Sequence, residues 1–144
     1  MFNKILVVCV GNICRSPIGE ALLKKYVTRC QIDSAGVKAL VGSQADAQAQ
    51  AIAAEHHIDL SKHEAKQLTQ KMCQEADLIL VMEAGHANVI DGICPMSRGK
   101  VMLFGQWLGG DKDIADPYQK SDEMFALVYQ KVDDAAKYWA QKLG

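Results

Sequence analysis

No run of apolar residues in this 144-residue chain approaches the ~20 that a membrane-spanning helix needs, so membrane insertion is not expected. Charge of one sign is also lacking. Sixteen Lys and Arg against 17 Asp and Glu leave a net −1, with no bulk attraction to nucleic acid or an anionic membrane. The five cysteines, Cys9, Cys14, Cys30, Cys73 and Cys94, are odd in number and contain no C-x-x-C pair. That argues against a disulfide framework and for free thiols in a reducing, cytoplasmic compartment. Cys30, Cys73 and Cys94 read as small buried or half-buried hydrophobes. His56, His57 and His86 fit no metal-ligand spacing and read as structural. No repeat, low-complexity tract or linker interrupts the chain. The nucleotide signatures G-x-x-x-x-G-K-[ST] and G-x-G-x-x-G are both missing. Met1-Phe2-Asn3-Lys4 runs straight into a strand pattern, so no signal peptide is expected.

What is present is enough apolar material, 49% of residues, for one core and one domain over residues 1–144. Residues 5–10 form a continuous apolar run, too short for a helix and suited to a buried parallel strand. Ser16 and Pro17 then read as N-cap and first helical residue. Ile18, Ala21, Leu22 and Tyr26 share one face of the helix that follows. Further strands are expected over 31–35, 77–82 and 101–104, and helices over 47–56, 61–74 and 83–91. A final helix over 121–143 aligns Phe125, Val128, Val132, Ala135, Trp139 and Leu143 in one stripe. Strands alternating with helices predict an α/β three-layer sandwich. Its centre is a mostly parallel four-stranded sheet flanked by helices. Ligands in such folds bind beyond the carboxyl ends of the strands.

Cys9-Val10-Gly11-Asn12-Ile13-Cys14-Arg15-Ser16 occupies that place after the first strand. A loop running into a helix start offers converging N–H donors and a positive dipole end to an anion. Gly11 permits close backbone approach and unusual dihedrals. Arg15 carries a planar fork for two phosphate oxygens. The same field favours Cys9 as a thiolate, an in-line nucleophile for phosphorus. An ester so attacked needs an acid for its leaving group, and Asp116-Pro117-Tyr118 in the late Gly-rich loop supplies a candidate.

Together these motifs resemble the low-molecular-weight protein-tyrosine phosphatases, and the likeness covers nearly the whole chain. It includes Asp33-Ser34-Ala35-Gly36, the His63-x-x-x-Gln67 segment and the closing helix. The loop near Leu40 and the segment 98–105 most resemble a bacterial branch linked to capsule or exopolysaccharide export. The resemblance implies a phosphocysteine intermediate on Cys9, with Arg15 on the phosphoryl oxygens. Asp116 would act as acid and then base. Ser16 would hydrogen-bond the thiolate, and Asn12, Ser34 and His63 would hold the loop. Tyr118 and Leu40 would wall the substrate slot. Gln119 and Leu40 replace aromatics common in the family, which reduces the aromatic grip. Cys14 would form a reversible disulfide with Cys9. No metal or cofactor is implied. The implied partner is a phosphotyrosine protein, a membrane tyrosine autokinase, met by a monomer or weak dimer.

Three rivals share parts of this pattern. Arsenate reductases on this fold need two further cysteines close together, and Cys73 and Cys94 are far apart in sequence. Protein-arginine phosphatases resembling this chain carry threonine where it has Ile13. A non-catalytic phosphotyrosine-binding module would need neither Cys9 nor Asp116.

Overall fold

The computed structural model describes residues 2–144. Four strands, β1 (Lys4–Cys9), β2 (Gln31–Gly36), β3 (Leu78–Val81) and β4 (Val101–Leu103), form one sheet in the order β2-β1-β3-β4. All three pairings are parallel, so the sheet is wholly rather than mostly so. The five helices are α1 (Arg15–Tyr26), α2 (Ala47–Glu55), α3 (Gln70–Glu75), α4 (Ala84–Ile93) and α5 (Asp122–Leu143).

The strands alternate in which face they bury, as a period of two requires. Ile5, Val7 and Cys9 join Leu78 and Leu80 in a core beneath α1, α2 and α5. Leu6, Val8, Ile79 and Val81 face the opposite layer, with Cys73 of α3 and Ile90 of α4. Every residue of the expected α5 stripe is buried. Ser121 caps that helix by accepting from Met124 N–H, and Trp139 Nε1 donates to Phe104 O at 2.8 Å. Among the described residues no helix is long and apolar enough to cross a membrane.

The chain leaves β1 toward β2 on one side and returns to place β3 on the other. That reversal opens a crevice at the carboxyl end of β1, where ligands of open parallel sheets bind. Cys9 is the last residue of β1 and pairs in register with Gly36 of β2.

Expectations for the start of α1 and for residues 61–74 need correction. Ser16 is not an N-cap. α1 begins at Arg15 with Cys14 in the cap position and no side-chain cap, which makes Pro17 the third helical residue. Pro17 still costs no bond there, because first-turn N–H groups have no intrahelical partner. The 61–74 helix shrinks to Gln70–Glu75, capped by Thr69 accepting from Met72 N–H. Residues before it are pulled straight by tertiary bonds: Gly36 N–H donates to Lys66 O, and Leu68 N–H donates to Gly36 O. A 3-10 turn over Pro95–Lys100 precedes β4 and carried no periodic signal.

Candidate active site

The 9–16 loop turns its carbonyls outward. Val37, Lys38, Leu40 and Asp46 donate backbone N–H groups to the carbonyls of Cys9, Val10, Gly11 and Ile13. Ile18 N–H donates to Cys14 O, and His63 Nε2–H donates to Asn12 O at 2.6 Å. With every carbonyl from Cys9 to Cys14 occupied, the loop's N–H groups are left for an anion, and α1 adds an uncapped N-terminus.

Asn12 shapes this turn. It is fully buried, and its φ of 58° lies in the left-handed region that asparagine tolerates better than most residues. This corrects the expectation for Gly11, which does not take a positive φ. The tight glycine is Gly36, where a Cβ would lie 2.4 Å from Val10 O. Asn12 Nδ2 donates to Ser16 Oγ at 2.7 Å and to Ser34 Oγ at 3.0 Å, and Lys66 N–H donates to Asn12 Oδ1 at 2.8 Å. Each serine hydroxyl, already accepting from Asn12, has its own proton to give. Ser34 gives it to Glu20 Oε1 at 2.5 Å, and Ser16 lies 2.9 Å from Cys9 Sγ. With Cys9 as thiolate, Ser16 can only donate to it, and a chain of donors then runs from Asn12 through Ser16 to the sulfur.

Arg15 is nearly inaccessible, at 2% exposure, and is held from the side. Its Nη1 donates to Ile114 O at 2.7 Å and lies 3.3 Å from Glu83 Oε2, while Nη2 lies 3.8 Å from Asp116 Oδ2. Asp116 is half-exposed, at 48%, and its Oδ1 accepts from Tyr118 N–H at 3.0 Å. One carboxylate oxygen is thus fixed and the other faces the arginine.

These groups enclose a cavity of about 180 Å³. Cys9, Gly11, Ile13, Cys14 and Arg15 line it, and Lys38, Leu40, Asp116 and Tyr118 form its rim. A larger open groove of about 540 Å³ along α5, beside Leu108, Lys131 and Tyr138, contains none of the residues of this site. Burial pushes the Cys14 thiol far up, helped by Asp46, Asp116 and Cys9 and opposed by Arg15, so it stays protonated at neutral pH. Ser34 and His63 do not touch the cavity; they brace Asn12 from behind.

Sequence reading missed Glu20, Lys38, Lys66, Glu83, His86 and Ile114. Glu20 carried a signal: it follows Ser16 by one helical turn, on the same face. Glu83 carried another, since it lies two residues past the end of β3, at the sheet's ligand end. Cys73 and Cys94, distant in sequence, are neighbours in space: burial raises the Cys73 thiol and Cys94 adds to it. Both lie in the layer of Leu6 and Val8, across the sheet from the core that holds Cys9. They cannot relay a disulfide to it without unfolding.

The likeness to known proteins agrees with this geometry. The family model described as low molecular weight phosphotyrosine protein phosphatase matches residues 4–144. A probable low molecular weight protein-tyrosine-phosphatase AmsI of Erwinia amylovora is 51% identical over 143 residues, covering 99% of both chains. The solved structure of Vibrio vulnificus Wzb in complex with benzylphosphonate has TM-score 0.95 at 51% identity, covering 99% of each chain. The tyrosine phosphatase Wzb from Escherichia coli K30, in complex with sulphate, has TM-score 0.97 at 49% identity over the whole of both chains. Matched along nearly its whole length in sequence and in fold, the chain belongs to the low molecular weight protein-tyrosine phosphatase family.

Proposed function

We propose that this chain is a single phosphatase domain that hydrolyses phosphotyrosine in proteins through a phosphocysteine intermediate on Cys9. The observation that carries the reading is the outward-tied loop. Its carbonyls are all occupied, and its donor chain ends on Cys9 Sγ, 2.9 Å from Ser16 Oγ.

The chemistry runs in two steps. Cys9 thiolate attacks phosphorus, and the bond to the tyrosine oxygen breaks. Arg15 and the loop N–H groups of 10–16 take the charge of the three equatorial oxygens. Asp116, protonated at this point, gives its proton to the leaving phenolate. Water then attacks the phosphocysteine, Asp116 takes a proton from it, and the sulfur leaves as thiolate with the Ser16 proton directed at it. The products are tyrosine and inorganic phosphate.

Ile13 at the cavity wall and Tyr118 at the rim suit an aryl ester. The benzylphosphonate bound by the Vibrio relative joins an aromatic ring to a phosphonate through carbon, the non-hydrolysable counterpart of such an ester. Threonine in place of Ile13 would have favoured the arginine ester. The physiological substrate we infer is the tyrosine-rich tail of a membrane tyrosine autokinase that controls capsule or exopolysaccharide production, met in the cytoplasm. This rests on the resemblance of the segment 98–105 and the Leu40 loop to that branch.

An aryl-phosphate assay tests the chemistry. Wild type turns over, Cys9→Ser is dead, and Asp116→Asn slows phenol release. Full activity in Cys9→Ser would sink the mechanism. A trapping variant offered the kinase tail tests the partner, and failure to retain the phosphorylated tail removes the export link.

A further inference from the structure

His86 is a buried histidine that the two-step chemistry does not use. It lies in the first turn of α4 at 8% exposure, with its backbone N–H on Glu83 O. Its Nε2 lies 2.9 Å from Glu83 Oε2, and that same oxygen lies 3.3 Å from Arg15 Nη1. Its other ring nitrogen, Nδ1, is buried with no partner. An apolar residue would fill this space without stranding a polar atom, so packing does not account for the ring. Among the described residues the one polar contact its side chain makes is with Glu83, and Glu83 is itself 36% exposed, able to swing unless held.

We propose that His86 is a positioning residue for phosphoryl binding. By setting Nε2 2.9 Å from Glu83 Oε2 it pins the carboxylate that, with Ile114 O, sets the plane of the Arg15 guanidinium. Nη1 is committed to those two acceptors, so Nη2, beside Asp116, is turned to the incoming anion. The inference rests on Arg15 being the phosphoryl-binding residue.

The protonation state fits. The groups facing the ring are Arg15 from α1, Glu83 at the start of α4, and Asp113 and Asp116 from the late loop. Burial, then Arg15, lowers the imidazole's proton affinity, and the three carboxylates oppose this less strongly. Neutral His86 with its proton on Nε2 matches the acceptor it faces. A second proton on Nδ1 would find none.

The test compares His86→Leu, which removes the donor, with His86→Gln, whose amide restores one. The readouts are KM and kcat for p-nitrophenyl phosphate and the inhibition constant of inorganic phosphate, with thermal melting to confirm folding. Losing this polar contact to a charged group should raise the phosphate inhibition constant about tenfold in His86→Leu, and His86→Gln should recover most of it. A His86→Leu constant within about twofold of wild type overturns the proposal, as does an equal loss in both variants, which would mark a packing role. If neither variant folds, imidazole NMR of the wild type decides. An Nε2-protonated tautomer whose resonance shifts on adding phosphate supports the proposal, and an Nδ1-protonated or unresponsive ring overturns it. Wild type without turnover refutes the phosphatase reading itself. Wild-type turnover with His86→Leu unchanged refutes only the positioning role.

Discussion

Removing the Asn12 side chain is expected to destabilise the fold by about 3–5 kcal/mol, an unusual loss for a polar loop residue. Two buried hydrogen bonds at 2.7 and 3.0 Å and a part-buried one at 2.8 Å disappear together. At about 1 kcal/mol each they account for roughly 3. The Lys66 N–H, part-buried and left without its acceptor, adds up to about 2 more. The φ of 58° separates two variants. Alanine in the left-handed region is strained by about 1 kcal/mol beyond glycine, so Asn12→Ala should be less stable than Asn12→Gly by about that amount. Urea denaturation reads both. With a slope near 2 kcal/mol per molar, the midpoint should fall by about 2 M. Phosphate affinity should fall in parallel, because the proton that Ser16 directs at Cys9 depends on Asn12 occupying the other side of its oxygen. A loss under about 1 kcal/mol, or Asn12→Gly no more stable than Asn12→Ala, would refute the role of Asn12 as keystone.

Gly36→Ala should cut kcat/KM for an aryl phosphate at least about tenfold, since its Cβ would lie 2.4 Å from Val10 O and rigid backbone must shift; unchanged kinetics would show that the loop yields freely. His86 should make stability fall on acidification. Its proton affinity is lowered in the folded state, so below about pH 6.5 the unfolded chain binds a proton that the folded one resists, while above that pH neither does. His86→Gln should flatten that part of the pH–stability curve, and an unaltered slope would contradict the assignment. Peroxide should oxidise Cys9 to the sulfenic acid, and the Cys14 thiol should condense with it, releasing water and leaving a disulfide that thiol reduces. Cys14→Ser should therefore recover less activity than wild type on reduction, and equal recovery would remove the protective role.

The elements that sequence resolved are those whose signal is local. The apolar run of β1 and the stripe of α5 follow from periodicity, and both are buried as expected. Cys9, Arg15 and Asp116 were picked out by residue type and motif, and the fold brings all three to one cavity. What failed depends on partners distant in the chain. Ser16 has the residue type of a cap, yet the sulfur seven residues earlier claims its hydroxyl. The segment before α3 has helix-forming residues, but Gly36 and Asn12 hold it extended from across the sheet. Glu83 reaches Arg15, and His86 reaches Glu83, because the chain leaving β3 turns into α4 beside Arg15. Beyond Glu83's place after β3, no spacing in the chain encodes that meeting.

The central claim is a covalent phosphoryl group on Cys9. Rapid acid quench of Asp116→Asn during turnover of p-nitrophenyl phosphate, followed by peptide mass spectrometry, tests it most directly. This leaving group needs little help from an acid, whereas hydrolysis of the intermediate has lost its base, so the intermediate should accumulate. The account predicts one phosphoryl group on the peptide carrying Cys9, absent in Cys9→Ser. A phosphoryl group on another residue, or turnover surviving in Cys9→Ser, would contradict it.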